Sequence, residues 1–177
     1  MPKIIKFNET IKTTSSVVIF GNFDGVHLGH QSLIDDLIKY GHNKIKILVT
    51  FHPHTQTIVK NTNSLKLITL YKDKLKLLST FNIDYISTIN FNKSFSRLSP
   101  EKFIDTIINK YNPQTIIMGY DNNFGFKGKG NYKFLKKYLF DKNIDLYQNK
   151  PFSLNGSIIK SSLIKELIIN GDIKSAN

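Results

Sequence analysis

Two histidines, His27 and His30, stand three residues apart at the predicted start of a helix. They follow an apolar run at 17–20 and a turn that contains Gly21 and Gly25. A short apolar run that ends at a glycine is typical of a buried strand, and the apolar spacing beyond the histidines is typical of a helix. The N-terminus of a helix attracts anions, and residues three apart share one helix face. The stretch therefore indicates a phosphate-binding site, although a helix cap, a surface pair or half of a metal site would also explain the histidines taken alone.

A second pair of histidines, His52 and His54, flanks Pro53 directly after the apolar run at 45–51. The loops after neighbouring parallel strands lie close together, so four of the five histidines are expected at one edge of a sheet. A zinc site is the alternative explanation. No obvious cluster of further ligands accompanies the imidazoles, so the phosphate-binding interpretation is favoured.

Two more segments have residue types that suit a nucleotide. Residues 119–131 contain four glycines in thirteen positions after a predicted strand, which suits a loop that wraps a ligand closely. An ordinary surface loop has a similar composition. Ser161 and Ser162 open an apolar helical pattern, where their hydroxyl groups and free N–H groups can hold phosphate. A plain serine cap would look the same in the sequence.

The predicted elements alternate between strands and helices. Strands are predicted near 17–20, 44–51, 83–91, 115–119 and 144–147, with an edge strand at 3–7. Helices are predicted near 28–41, 71–81, 100–111, 132–139 and 161–169, and 56–71 is expected to be irregular. This alternation predicts an α/β fold, a Rossmann-like doubly wound parallel sheet of about five strands with flanking helices. Ligands bind such sheets at the carboxyl ends of the strands, where the histidines and the glycine-rich loop fall.

The composition excludes several classes of protein. The 177 residues fit a single domain, 1–177, and contain no cysteine, which excludes disulfides and thiolate catalysis. No segment has the length of a membrane span and the N-terminus lacks a signal-peptide pattern, so we expect a cytoplasmic protein without a membrane partner. The net charge is +12, but the lysines are spread along the chain without a dense basic block. We therefore expect acidic small-molecule substrates and no nucleic-acid partner.

Residues 21–30, Gly-Asn-Phe-Asp-Gly-Val-His-Leu-Gly-His, resemble the adenylyltransferase module of the bacterial FAD synthetases, the bifunctional riboflavin kinase/FMN adenylyltransferases. The last four residues match the HxGH signature of the nucleotidyltransferase superfamily. Residues 50–54 resemble the TFxPHP segment of the same family.

Two later segments extend the resemblance. Residues 119–131 are similar to the family's GxDFxFGxxxxGD segment, and residues 160–165 are similar to its Ser-Ser-Thr-x-Ile-Arg pattern at the start of a helix. The chain departs from the family pattern at Thr55, Asn122, Asn131, Lys160, Leu163 and Lys165.

The resemblance implies an FMN adenylyltransferase of nucleotidyltransferase-type fold, which transfers AMP from ATP to FMN and releases FAD and pyrophosphate. It also implies Mg²⁺ bound through phosphate oxygens and water, with no metal ligand from the protein. The catalytic residues that it implies are His27, His30, Ser161 and Ser162. The nucleotide-binding residues that it implies are Gly21, Asn22, Phe23, Asp24, Gly25, Gly29, Asp121, Phe124, Gly125 and Lys165. The flavin-binding residues that it implies are Phe51, His52, Pro53 and His54.

The family's bifunctional members continue into a riboflavin kinase domain, whereas this chain stops five residues after Asp172. We therefore expect the kinase domain to be absent and a separate riboflavin kinase to supply FMN. Two alternatives remain open. One is a related transferase with another phosphorylated acceptor, such as pantetheine phosphate or nicotinate mononucleotide. The other is a degenerate flavin- or nucleotide-binding protein without useful catalysis.

Overall fold

Six strands form one parallel sheet in the computed structural model, which describes residues 1–11, 13–62 and 65–177. The strands are β1 (Lys3–Lys6), β2 (Ser16–Gly21), β3 (Ile45–His52), β4 (Tyr85–Asn90), β5 (Pro113–Met118) and β6 (Asp145–Gln148). Their order is β1-β4-β3-β2-β5-β6, and every neighbouring pair is parallel. The predicted α/β fold is confirmed, with one strand more than the predicted count because the edge strand β1 pairs with β4.

Helices connect the strands of the sheet. In the described ranges they are α1 (Leu28–Tyr40), α2 (Thr55–Val59), α3 (Tyr71–Leu78), α4 (Pro100–Tyr111), α5 (Tyr132–Tyr138), α6 (Ser161–Ile169) and α7 (Ile173–Ala176). Five of them lie where helices were predicted, but α2 and α7 were not predicted. The segment 56–71 is thus partly helical, contrary to expectation, and its residues 63 and 64 lie outside the described residues. None of the described helices is both long enough and apolar enough to span a membrane.

The central strand β2 is buried on both faces. Val17 and Ile19 pack against the apolar side of α1, and Val18 and Phe20 pack against the apolar side of α4. A strand covered on both faces has an uninterrupted apolar sequence, because successive side chains point to opposite sides. From β2 the chain order runs outward through β3 and β4 on one side and through β5 and β6 on the other, with β1 added beyond β4. The sheet is therefore doubly wound, as predicted.

The start of α4 follows local sequence signals. The Ser99 hydroxyl accepts a hydrogen bond from the backbone N–H of Lys102 at 3.3 Å, and Pro100 occupies the first helical turn. A short hairpin of β7 (Ser153–Leu154) and β8 (Ser157–Ile158) was not predicted. This hairpin precedes α6 and brings the start of that helix to the carboxyl edge of the sheet.

Candidate active site

A cavity of about 560 Å³ opens at the carboxyl ends of β2, β5 and β6, beside the first turns of α1 and α6. We call it the polar cavity. The predicted site residues that line it are Gly21, Asn22, Phe23, Asp24, His27, Gly29, His30, His54, Asp121, Ser161, Ser162 and Lys165. Four segments that are distant in sequence therefore meet at one place, as the topology of a parallel sheet requires.

His27 and His30 stack against each other in this cavity, with ring centroids 3.7 Å apart and planes inclined by 21°. The ring of Phe23 lies 5.2 Å from that of His30 and supports it from the other side. The Nδ1 atoms of both histidines are buried and make no hydrogen bond with the described residues. Nε2 is therefore the atom through which His30 can contact a ligand in the cavity.

The tautomer of His27 follows from its neighbours. The Ser161 hydroxyl donates to the carbonyl oxygen of Asp24 at 3.1 Å, and a carbonyl can only accept. His27 Nε2 lies 3.1 Å from Ser161 Oγ, and the imidazole must therefore be the donor in this hydrogen bond. His27 thus carries a proton on Nε2 and holds the first residue of α6 against the loop that follows β2.

Asp24 connects three segments around the site: the loop after β2, the residues that precede α3, and α6. Its buried carboxylate accepts hydrogen bonds from the backbone N–H groups of Ile68 and Thr69, at 2.9 and 3.2 Å. Its second oxygen lies 2.7 Å from the ammonium group of Lys165, one turn after Ser161 in α6. The lysine that stands in place of the family's arginine is therefore held at the cavity wall by an ion pair.

The loop between β2 and α1 is conformationally strained. Phe23 and Val26 have φ angles of 53° and 43°, which bulky side chains rarely adopt. Gly25 has a φ of 85°, and a Cβ atom there would lie 2.9 Å from Ile68. Strained backbone of this kind is typical of functional sites, where the surrounding packing maintains it.

A second cavity of about 320 Å³ adjoins the first. We call it the aromatic cavity, because its walls include Phe20, Phe51, Phe91, Phe95, Phe103 and Phe124. Gly21, Asn22 and Thr55 line both cavities and so form part of the boundary between them. A planar aromatic ligand in one cavity would therefore lie next to a ligand in the other.

The structure places several predicted site residues away from the polar cavity. Phe124 and Gly125, predicted to bind the nucleotide, line the aromatic cavity together with Phe51. His52 instead stacks on Tyr71, with ring centroids 4.0 Å apart. The remaining predicted residues that line neither of the two cavities are Gly25 and Pro53.

Asn22 is fixed at the boundary by reciprocal hydrogen bonds with Thr55. Its Nδ2 donates to the Thr55 hydroxyl at 2.9 Å, and its Oδ1 accepts from the Thr55 backbone N–H at 3.2 Å. The second bond requires a backbone N–H that a proline would lack. The departure from the family pattern at residue 55 thus creates a contact between the loops that follow β2 and β3.

Lys74 is a buried residue of the site region to which the sequence analysis assigned no role. Only 7% of it is exposed, and its ammonium group donates to the backbone oxygen of Asn22, to Thr50 Oγ1 and to the backbone oxygen of Phe51, at 3.0, 3.0 and 3.1 Å. Burial lowers the pKa of Lys74 to about 8, although Asp24 opposes this shift. The sequence contains one indication that Lys74 is buried. It stands four residues before Leu78, so the two side chains share the buried face of α3.

Burial also lowers the pKa of the site histidines. For His27 the carboxylates of Asp24 and Asp121 oppose the decrease in pKa. The pKa of His30 lies well below its usual value because of burial, with further decreases caused by His27 and Lys74. The pKa of His54 is lowered to about 4, chiefly by burial. These imidazoles are therefore neutral near pH 7 and act as neutral hydrogen-bond donors until an anion binds.

These shifts predict a loss of stability in mild acid. Below pH 6.5 an unfolded histidine takes up a proton that the folded protein excludes at His30, so the free energy of unfolding decreases as the pH falls. For one such histidine the slope reaches about 1.4 kcal/mol per pH unit. Urea unfolding between pH 7.5 and 5 measures it, and His30→Gln is expected to make the dependence shallower. An identical slope in the wild type and in this variant would contradict the prediction.

Known proteins resemble this chain over most of its length. A family model described as FAD synthetase matches residues 9–163. A bifunctional riboflavin kinase/FMN adenylyltransferase from Buchnera aphidicola subsp. Schizaphis graminum is 38% identical over 98% of this chain and 58% of that protein. The relative of the same name from Bacillus subtilis is 34% identical over 92% of this chain and 52% of that protein. The chain thus spans little more than half the length of these relatives.

A solved structure has a similar fold. The crystal structure of a protein described as a macrolide-efflux protein from Streptococcus pneumoniae superposes with a TM-score of 0.88, covering 99% of this chain and 60% of that chain. The sequence identity is 24%, so this similarity establishes the fold alone.

Proposed function

Because the chain belongs to the FAD synthetase family, we propose that it is an FMN adenylyltransferase. A phosphate oxygen of FMN attacks the α-phosphorus of ATP, the bond from that phosphorus to the β-phosphate oxygen breaks, and FAD and pyrophosphate are released. The observation that carries the proposal is the contact between the polar and the aromatic cavity at Asn22 and Thr55. The reaction requires a triphosphate and a flavin to meet in one defined geometry, and adjoining cavities of these two characters provide that geometry.

The polar cavity would act on the triphosphate by positioning and by charge stabilisation, since phosphoryl transfer needs little covalent participation from the protein. His30 Nε2 and His27 lie where donors can stabilise the charge that develops on the transferred group and on pyrophosphate. Ser162 and the free N–H groups at the start of α6 would hold the β- and γ-phosphates. The Ser161 hydroxyl and the N–H of His27 Nε2 would turn from their present acceptors to the same anion when it binds. Lys165 keeps N–H groups beyond its contact with Asp24 for the same anion.

The remaining nucleotide contacts would come from the loops that follow β2 and β5. Asn22, Asp24 and Asp121 line the polar cavity, where Gly21 and Gly29 allow a close approach of the ligand to the backbone. The resemblance also assigned Phe23 and Gly25 to nucleotide binding. We propose that these two residues act indirectly, since Phe23 packs on His30 and Gly25 permits the turn.

The aromatic cavity would hold the flavin ring. Phe51, Phe124 and Gly125 line it, so we assign the last two residues to flavin binding instead of nucleotide binding. His54 lines the polar cavity beside Thr55, so it would lie near the phosphate of a flavin that enters from the aromatic side. His52 and Pro53 would shape the loop that carries His54.

Mg²⁺ would accompany the triphosphate. Within the described part of the chain, no three His, Asp or Glu side chains are grouped to hold a metal ion. The carboxylate of Asp24 is already paired with Lys165. The ion would therefore be coordinated mainly by phosphate oxygens and water, as is usual for Mg²⁺ with nucleotides, and would supply charge neutralisation.

The direct test incubates the purified protein with FMN and ATP in magnesium buffer and separates the products by chromatography. FAD and pyrophosphate in equal amounts are expected. A parallel sample with riboflavin in place of FMN tests whether the protein also phosphorylates riboflavin. Samples with pantetheine phosphate and nicotinate mononucleotide test other acceptors. A folded protein that binds ATP and forms no FAD would contradict the proposal.

Thr55 offers a specific test of how the two cavities are joined. Thr55→Val removes the hydroxyl that accepts from Asn22 Nδ2, while it keeps the side-chain volume and the backbone N–H. Loss of one such bond is expected to raise the KM for FMN by about three- to tenfold. Thr55→Ser, which restores the hydroxyl, is the matched control and should restore most of the affinity. Unchanged kinetics in the valine variant would show that the contact does not position the substrates.

A further inference from the structure

Asn149 is a cavity residue to which the sequence analysis gave no role. It directly follows β6, is 6% exposed, and lines the polar cavity. Its backbone N–H donates to the carbonyl oxygen of Met118 at 2.9 Å, which extends the pairing of β6 with β5. The position of its main chain is therefore fixed by the sheet.

The side-chain amide of Asn149 is fixed by α1. Its Nδ2 donates to the Asp36 carboxylate at 2.7 Å and to the Ser32 hydroxyl at 3.2 Å. A carboxylate only accepts, so turning the amide over would place Oδ1 against Asp36 and bring two acceptors face to face. The amide therefore has a single stable orientation, with both N–H groups directed at α1.

The oxygen of this amide is left for a ligand. Asn149 Oδ1 accepts no hydrogen bond from any described residue, and it is not among the buried polar atoms that lack a partner. The residue lines the polar cavity while its nitrogen faces α1, so the oxygen is the polar atom that the side chain offers to the cavity. A fixed acceptor favours a ligand that presents an N–H group.

We propose that Asn149 reads the base of the nucleotide, with Oδ1 accepting a hydrogen bond from the exocyclic amine of adenine. The proposal rests on the proposed adenylyl transfer and specifies its donor. Ser32 and Asp36 lie on the same helix that begins beside His27 and His30, so the cavity runs from the histidines along α1 to Asn149. Phosphates at the histidine end place the base toward the end of β6.

This arrangement selects adenine through its amine. Guanine and hypoxanthine carry a carbonyl oxygen at the corresponding ring position, which would face the amide oxygen of Asn149 as a second acceptor. A purine without a substituent there would leave Oδ1 unpaired in a largely buried position. An unmade hydrogen bond of this kind typically costs about 1–3 kcal/mol, which equals a roughly five- to 150-fold loss of affinity.

The test is calorimetric titration of the full chain, without flavin, with ATP and with purine riboside 5′-triphosphate, which lacks only the amine. The wild type is expected to bind ATP about five- to 150-fold more tightly than the analogue. Asn149→Ala should bring this ratio close to one, mainly through weaker ATP binding. Asp36→Ala should also lower the ratio, because it frees the amide to turn, although Asp36 does not line the polar cavity.

Lys150→Ala is the matched control, because Lys150 is the exposed neighbour of Asn149 and its loss should not change the ratio. If the wild type binds ATP and purine riboside 5′-triphosphate with equal affinity, this result alone would overturn the proposed role of Asn149. A folded Asn149→Ala protein that keeps the full ratio would also overturn it. If ATP is preferred but no FAD forms, the adenylyltransferase proposal fails while the role of Asn149 stands. If neither nucleotide binds, both proposals fail.

Discussion

The variant His30→Ala is expected to lose about 100- to 1,000-fold in kcat, the usual effect of removing one preorganised donor from a developing negative charge. The physical reason is the position of the ring, which stacks at 3.7 Å on His27 and can reach the cavity only through Nε2. The donor therefore needs no reorientation when the pyrophosphate leaves. Steady-state rates of FAD formation at saturating FMN and ATP measure the effect.

Controls separate this effect from damage to the fold. His42→Ala removes an exposed imidazole just beyond the end of α1 and is expected to leave the rate unchanged. His30→Gln keeps a side-chain N–H donor and should recover part of the lost rate. Circular dichroism and thermal unfolding establish that each variant is folded. A folded His30→Ala protein with normal turnover would exclude the proposed role.

The variant Lys74→Met is expected to lower the free energy of unfolding by about 2–4 kcal/mol, because it removes the donor for three oxygens at the ends of β2 and β3. Those oxygens belong to Asn22, Thr50 and Phe51. Asn22 lines both cavities, so the KM values for ATP and for FMN should rise together. Urea unfolding and steady-state kinetics measure the two effects.

The pKa values of nearby histidines, measured by NMR titration, distinguish the loss of the Lys74 charge from a loss of packing. The positive charge of Lys74 contributes to the lowered pKa values of His30, His52 and His54, so these values should rise in Lys74→Met. Histidine resonances followed by NMR titration report them directly. The control is Lys76→Met, the same substitution at an exposed position of α3. A Lys74→Met protein as stable as this control would contradict the role.

The sequence predicted the centre of the sheet well because the central strand β2 is buried on both faces. The run from Val17 to Phe20 has no polar residue, and only a strand or helix covered on both sides has that pattern. The glycines and histidines that follow were informative because their positions relative to the strand and the helix place them at the carboxyl edge. The shared cavity of His27, His30, Ser161 and Asp24 was thus within reach of sequence reasoning.

Other features depend on contacts between distant segments, which no local pattern records. The short helix α2 begins at Thr55, whose hydrogen bonds to Asn22 join residues 33 positions apart. Lys74 was missed because lysine is normally exposed, and only the fold shows three oxygen atoms around its ammonium group. The resemblance placed Phe124 in a nucleotide segment, whereas its ring packs against Phe20 and Phe103 and lines the aromatic cavity.

The shared boundary at Asn22 also bears on how the reaction would end. Pyrophosphate would occupy only the histidine end of the polar cavity, whereas FAD would keep the adenine side of one cavity and the flavin side of the other. The two products would therefore differ in how firmly they are retained, and the dinucleotide would leave last. Accumulated FAD would then exclude both substrates at once. The rate of FAD formation would therefore decrease as the FAD concentration rises, without a separate regulatory site.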